Sequence, residues 1–222
     1  MTEQDKQFVE VYIKLHDFDA ELSQIANKLF HDYSPLNKEI DELRKEMLVV
    51  NDTFLACRKL ADKLSEPNYD PSDTNLDKLT REQEKTSEQL IPYSDKLTDV
   101  YNIIKDLSDK MNAFYEKDED DVNTLYDEFS SIQTAHSRNW QNNGIDILAF
   151  ENEFANFHSH RDVHAKRRDT LLDFCDKTLN NYATLNLEST AIFDVWAEFL
   201  KRCQLIRAIA ALQQQAIGFT QN

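Results

Sequence analysis

VYIKLHDFDAELSQIANKLF, residues 11–30, is the stretch whose reading decides the fold. Its apolar residues Val11, Leu15, Phe18, Leu22, Ile25 and Leu29 recur at alternating spacings of four and three. That period lies close to the turn of an α-helix, about 3.6 residues, so it gathers the apolar side chains into one stripe. Held over many turns, it is the heptad pattern of helices that pack side by side. Beyond this stretch the stripe resumes at Leu36 and runs through Ile40, Leu43, Met47, Val50, Phe54, Cys57, Ala61 and Leu64. Only the step at Asp32–Tyr33 departs, and there Tyr33 covers the stripe one residue along. Pro35 sits inside the pattern, and the register continues in phase beyond it. A proline there removes one backbone hydrogen bond and bends a helix. The pattern predicts a kink within a single helix spanning about 4–65.

Two of the chain's prolines, Pro67 and Pro71, fall among Asn, Asp and Ser in residues 66–75, which reads as a loop. A second helix, about 76–141, follows. Its stripe is Leu76, Leu79, Leu90, Leu97, Val100, Ile104, Leu107, Met111 and Phe114, weakened early by Gln83 and Thr86 and kinked at Pro92. The acidic run Glu116–Asp121 contains no helix breaker and reads as a solvated turn of continuing helix. It also lacks the glycine and ligand spacing of an EF-hand loop. The stripe then resumes at Leu125, Phe129 and Ile132. Asn142-Asn143-Gly144 is a helix-ending signal, since Asn and Gly tolerate the left-handed backbone.

A third helix, about 145–217, carries the stripe Ile147, Phe150, Phe154, Phe157, Arg161, His164, Arg168, Leu171, Cys175, Leu179, Tyr182, Leu185, Ser189, Ile192, Trp196, Phe199, Cys203, Ile206 and Ala210. Beyond Thr190 this helix is apolar on more than one face, and such a helix needs cover on several sides. A second copy of the chain is the simplest source, with Ile192, Trp196, Phe199 and Ile206 as the packing residues. The expected fold is therefore all-α: three long kinked helices in an antiparallel coiled-coil bundle, one domain over residues 1–222, forming a homodimer or pairing with a related helical chain.

Composition agrees. Gly and Pro number only 2 and 4 of 222 residues, against average usage of roughly 7% and 5%. A chain so poor in both has few turns and long elements. The net charge of −16, from 41 acidic and 25 basic residues, argues against nucleic acid, whose phosphates require clustered Lys and Arg. It also opposes unassisted binding to an anionic membrane. Cys57, Cys175 and Cys203 lie at or beside the stripe without a C-x-x-C pair, the pattern of buried thiols in a reducing compartment. Met1–Lys6 is polar and acidic, unlike a secretory signal. No apolar run reaches the roughly 18–20 residues of a membrane span. A cytoplasmic protein is expected.

Candidate sites are sparse. His160 and His164 are four apart, on one helical face as in zinc sites, but Arg161 follows His160 where the H-E-x-x-H form needs Glu. A polar patch in the stripe is the simpler reading, and no metal or cofactor is expected. Arg161, Lys166, Arg167 and Arg168, with His160, form the densest cationic stretch of an acidic chain. They read either as pairing with neighbouring acidic helices or as a contact for lipid or an acidic partner. No phosphate loop, G-x-S-x-G or Cys–His arrangement gives catalysis a foothold, so a non-enzyme is expected.

Three segments resemble the BAR regions of sorting nexins. Val50-Asn51-Asp52-Thr53-Phe54-Leu55-Ala56-Cys57-Arg58-Lys59-Leu60-Ala61 before a polar loop resembles the end of their first helix. Leu97 to Phe114 resembles the middle of their second. Tyr182 to Leu200, with Trp196-Ala197-Glu198-Phe199-Leu200, resembles their closing helix. The resemblance implies a crescent dimer that senses or shapes curved membrane in endosomal or vesicle traffic, peripheral on that membrane. Its lipid contacts would be Arg161, Lys166, Arg167 and Arg168, with Arg58, Lys59 and Lys63. The alternative that needs no basic face is a soluble coiled-coil scaffold or adaptor subunit of a tethering or cytoskeletal assembly.

Overall fold

The computed structural model describes residues 3–66, 73–118, 123–131, 134 and 147–220. The loop residues 67–72, the stripe residue Ile132 and the helix-ending Asn142-Asn143-Gly144 lie outside the described residues, as do the side chains of His160 and Arg161. Among the described residues every regular element is an α-helix: α1 (Glu3–Tyr33), α2 (Leu36–Leu64), α3 (Asp73–Lys117), α4 (123–131) and α5 (Ile147–Thr220). The all-α expectation holds.

The single kinked first helix does not. The chain makes two helices there, α1 and α2, separated by a turn at Ser34–Pro35. Proline has no N–H to donate to the carbonyl of His31, four residues back. Instead the Ser34 N–H closes the last helical bond to the Phe30 carbonyl (3.0 Å), and the Ser34 hydroxyl donates to the His31 carbonyl (3.3 Å). The side chain thus occupies the acceptor that proline leaves open. Pro92 behaves differently, because α3 continues through it unbroken.

The chain forms two compact units: Met1–Pro35 with Ile104–Leu179, and Leu36–Ile103 with Asn180–Asn222. The first unit packs α1, the second part of α3, α4 and the first part of α5. Its core holds Leu22, Ala26 and Leu29 of α1, Ile104, Leu107, Met111 and Phe114 of α3, and Leu171 and Cys175 of α5. Val11, Leu15 and Phe129 form a smaller cluster flanked by Tyr12, Leu125 and Tyr126. Phe18 and Ile25, read as stripe residues, are only half-buried, and Ala26 is buried beside them. Leu15, Leu22, Ala26, Leu29 and Tyr33 are buried, and the half-buried Asp19 falls in step between the first two, giving an alternation of four and three. Tyr33 is thus in step, and the irregularity at Asp32–Tyr33 disappears. Its hydroxyl bonds Asp106 and accepts from Lys110 Nζ (2.8 Å). Burial, then the Asp106 carboxylate, pushes the Tyr33 hydroxyl above its usual range, while the Tyr33 hydrogen bond and Lys110 hold Asp106 below its own.

The second unit packs α2, the first part of α3 and the last part of α5. All nine predicted stripe residues of α2, from Leu36 to Leu64, are buried. Opposite them lie Leu79, Leu90, Tyr93, Leu97 and Val100 of α3 and Tyr182, Leu185, Trp196, Phe199 and Cys203 of α5. Phe54 meets Trp196 edge-on at 5.5 Å and Phe199 at 5.3 Å between ring centroids. Burying each such ring contributes on the order of 1.5–3 kcal/mol. Gln83 and Thr86, expected to weaken α3, are satisfied in place. Arg207 donates to the Gln83 amide oxygen and to Thr80 Oγ1 (3.1 Å), and Thr86 donates to the Glu82 carbonyl (2.8 Å).

Candidate functional site

The richest gathering of ionisable side chains lies in the first unit, around His164. The ring is 7% exposed and stands between two carboxylates. Its Nδ1 is 3.2 Å from Asp19 Oδ1, and its Nε2 bonds Asp118 Oδ1. Asp118 is 3% exposed and also takes Arg168 Nη1 at 3.3 Å. Arg167 donates to Ser23 Oγ, which in turn donates to the Asp19 carbonyl at 2.6 Å. Charges removed from water must be paired, and the buried Asp118 carboxylate faces both His164 and Arg168.

The cause is register. Asp19 follows Leu15 by four residues, Asp118 follows Phe114 by four, and His164 and Arg168 continue the stripe of α5. All four occupy seam positions and are carried inward by the same periodicity that buries their apolar neighbours. Polar residues at seam positions specify alignment and partner at some cost in stability. Asp118 corrects the reading of Glu116–Asp121 as wholly solvated. Its seam spacing from Met111 and Phe114 was the signal that could have found it. Nothing in the sequence paired it with Asp19, which comes from a helix almost a hundred positions earlier.

A metal does not fit this arrangement. The two ring nitrogens point in opposite directions, so the carboxylates flank the imidazole instead of converging on one point. Among the described residues, no group of three or more His, Cys, Asp or Glu is arranged to hold a metal ion.

The cationic residues divide into two sets. Arg167 and Arg168 are engaged internally, with Ser23 and with Asp118 and Asp169. Lys166 is exposed on α5, and Arg58, Lys59 and Lys63 are exposed on the last turns of α2. The thiols lack the exposure that reactivity requires. Burial pushes Cys57 up to about 12 and Cys175 up to about 11, and raises Cys203 as well.

Of the four residues expected at a dimer contact, Trp196 and Phe199 are buried within the chain against Phe54, and Ile192 and Ile206 are half-buried. Other large apolar side chains of the same helix face solvent. Leu187 is 73% exposed, Val195 46%, Leu205 60%, Ile209 47% and Leu212 65%. The excess of apolar faces on α5 is legible in the sequence, but which face stays uncovered is not. Among the described residues, no helix is long and apolar enough to cross a membrane. Compared with protein-family models, with curated proteins and with solved structures, the chain matches none of them.

Proposed function

We propose that this chain is a non-enzymatic helical scaffold that works as a homodimer and holds partner proteins. The observation that carries the reading is the concentration of exposed aliphatic side chains on the last part of α5, from Leu187 to Leu212. Single exposed leucines are ordinary, but a series on one helix marks an interaction surface. The His164 cluster supports the same reading, because its charged groups are spent on one another inside the first unit and leave no nucleophile or open ligand position. Sedimentation equilibrium across the micromolar range tests the proposal. A dimer mass is expected, and a monomer throughout would overturn it.

A membrane-binding dimer of the BAR type is the second reading, favoured by the exposed cations Arg58, Lys59, Lys63 and Lys166. Each cation near an anionic leaflet contributes about 1 kcal/mol. Co-sedimentation with phosphatidylserine vesicles decides it. Binding that is lost when these four residues become Glu would favour the membrane, and no binding by the unaltered protein would remove this reading.

A further inference from the structure

We propose that Cys57 and Cys203 are the two halves of a redox-dependent clamp, which closes as a disulfide between α2 and α5 when the second unit folds in the presence of oxidised glutathione. The clamp lies within one chain and does not depend on the homodimer reading.

Packing sets the two thiols level with each other. Within the second unit α2 and α5 run parallel. Met47 meets Ser189 (3.7 Å), Phe54 meets Phe199 (5.3 Å between centroids) and Asp62 meets Arg202 (2.5 Å), so the contacts advance along both helices together. Cys57 comes three residues after Phe54, and Cys203 comes four after Phe199 and directly after Arg202. Both occupy seam positions and both are wholly buried, so their side chains enter the core at the same level. Burial pushes the Cys57 thiol up to about 12, and Cys203 is the next influence in the same direction, as a neighbouring sulfur is. Both thiols are free, and Cys175, the third, lies in the first unit.

The same burial decides when the bond forms. In the folded, reduced chain neither thiol meets solvent, so an oxidant that arrives later does not close the clamp. In the unfolded chain both are exposed. One thiolate attacks a sulfur of oxidised glutathione, which gives a mixed disulfide and releases one glutathione thiolate. Folding then brings the second cysteine beside the first. A close-packed core has no room for the attached tripeptide. The second thiolate therefore attacks the chain sulfur of the mixed disulfide, and the other glutathione leaves. Two chain thiols become one disulfide, and one glutathione disulfide becomes two glutathione thiols. Packing then seals the bond, which joins helices far apart in sequence and so constrains the unfolded chain.

The experiment unfolds the whole chain and refolds it with a mixture of reduced and oxidised glutathione. Remaining thiols are alkylated in denaturant, and the linked peptides are identified by mass spectrometry. A Cys57–Cys203 bond is expected, with Cys175 left as a thiol, helix content by circular dichroism equal to that of the reduced chain, and a raised urea midpoint. Cys175→Ala is expected to form the same bond, and the native chain given the same mixture without unfolding is expected to keep all its thiols. A refolded chain whose Cys57 and Cys203 stay reduced or carry glutathione overturns the clamp. So does a chain that links Cys175 as often as Cys203, or one whose bonded form loses helix content.

Discussion

His164 and Asp118 lie 46 residues apart in sequence, on different helices, and bond side chain to side chain in the interior of the first unit. Both sit where a heptad calls for an apolar residue. The pair therefore costs desolvation, and its geometry, with Asp19 on the far side of the ring and Arg168 behind the carboxylate, offsets that cost.

Removing one partner leaves the others uncompensated. Asp118→Ala is expected to cost roughly 3 kcal/mol, the lower end for breaking a buried pair because Arg168 retains some access to water. Urea denaturation would read this as a lowered midpoint with an unchanged slope. A loss below about 0.5 kcal/mol, the range of ordinary surface substitutions, would mean the cluster carries no stability. The double variant Asp118→Leu with His164→Leu is expected to be more stable than the sum of its single changes, which is the mark of direct coupling.

The thiols give a pH dependence. Cys57 and Cys175 ionise at about 12 and about 11 in the folded chain, against 9.0 for an ordinary thiol, because burial opposes the thiolate. A raised folded value means the native state holds its proton more tightly than the unfolded chain. The associated stability is complete below pH 9 and is lost as pH rises toward those folded values. Thermal melting followed from pH 8 to pH 12 should show a falling midpoint, less steep in a Cys57→Ala, Cys175→Ala background. At neutral pH a thiol reagent should react only after denaturant is added. Fast labelling of the native chain would contradict the burial.

Trp196 and Leu205 lie on the same helix and should respond in opposite ways. Trp196→Ala removes a ring packed between Phe54 and Phe199, with an expected loss of roughly 3–5 kcal/mol. Leu205→Ala removes an exposed side chain and should change the stability of the monomer by less than about 0.5 kcal/mol. Chemical denaturation at low protein concentration measures both. Equal losses would mean that Leu205 is covered within the chain.

Much of the helical plan was legible because the heptad period is a local property. The stripe of α2 was read without error, and Tyr182, Leu185, Ser189, Trp196, Phe199 and Cys203 all fall inward on α5 as their spacing required. The misreadings came where residue chemistry was followed. Phe18 and Ile25 follow the same alternation of four and three as Asp19 and Ala26 and are more apolar, so spacing alone does not separate the two series; the burial of Ala26 and Tyr33 does. Asp118 was placed in solvent for its charge, although its spacing placed it in the seam. At Pro35 the in-phase register suggested one bent helix, but phase survives a two-residue interruption as readily as a bend, so it could not distinguish them.

The sequence by itself determined that the chain is helical, that each helix has a seam, and that α5 has more apolar surface than one seam needs. These follow from spacing along one chain and from the scarcity of Gly and Pro. Only the tertiary structure decided which partners meet across the seams: Asp19 and Asp118 on either side of His164, Phe54 against Trp196, Arg207 on Gln83. It also decided that Leu205, Ile209 and Leu212 remain outside. Periodicity assigns a residue to a face of its own helix, but which helix covers that face depends on contacts between residues far apart in the chain.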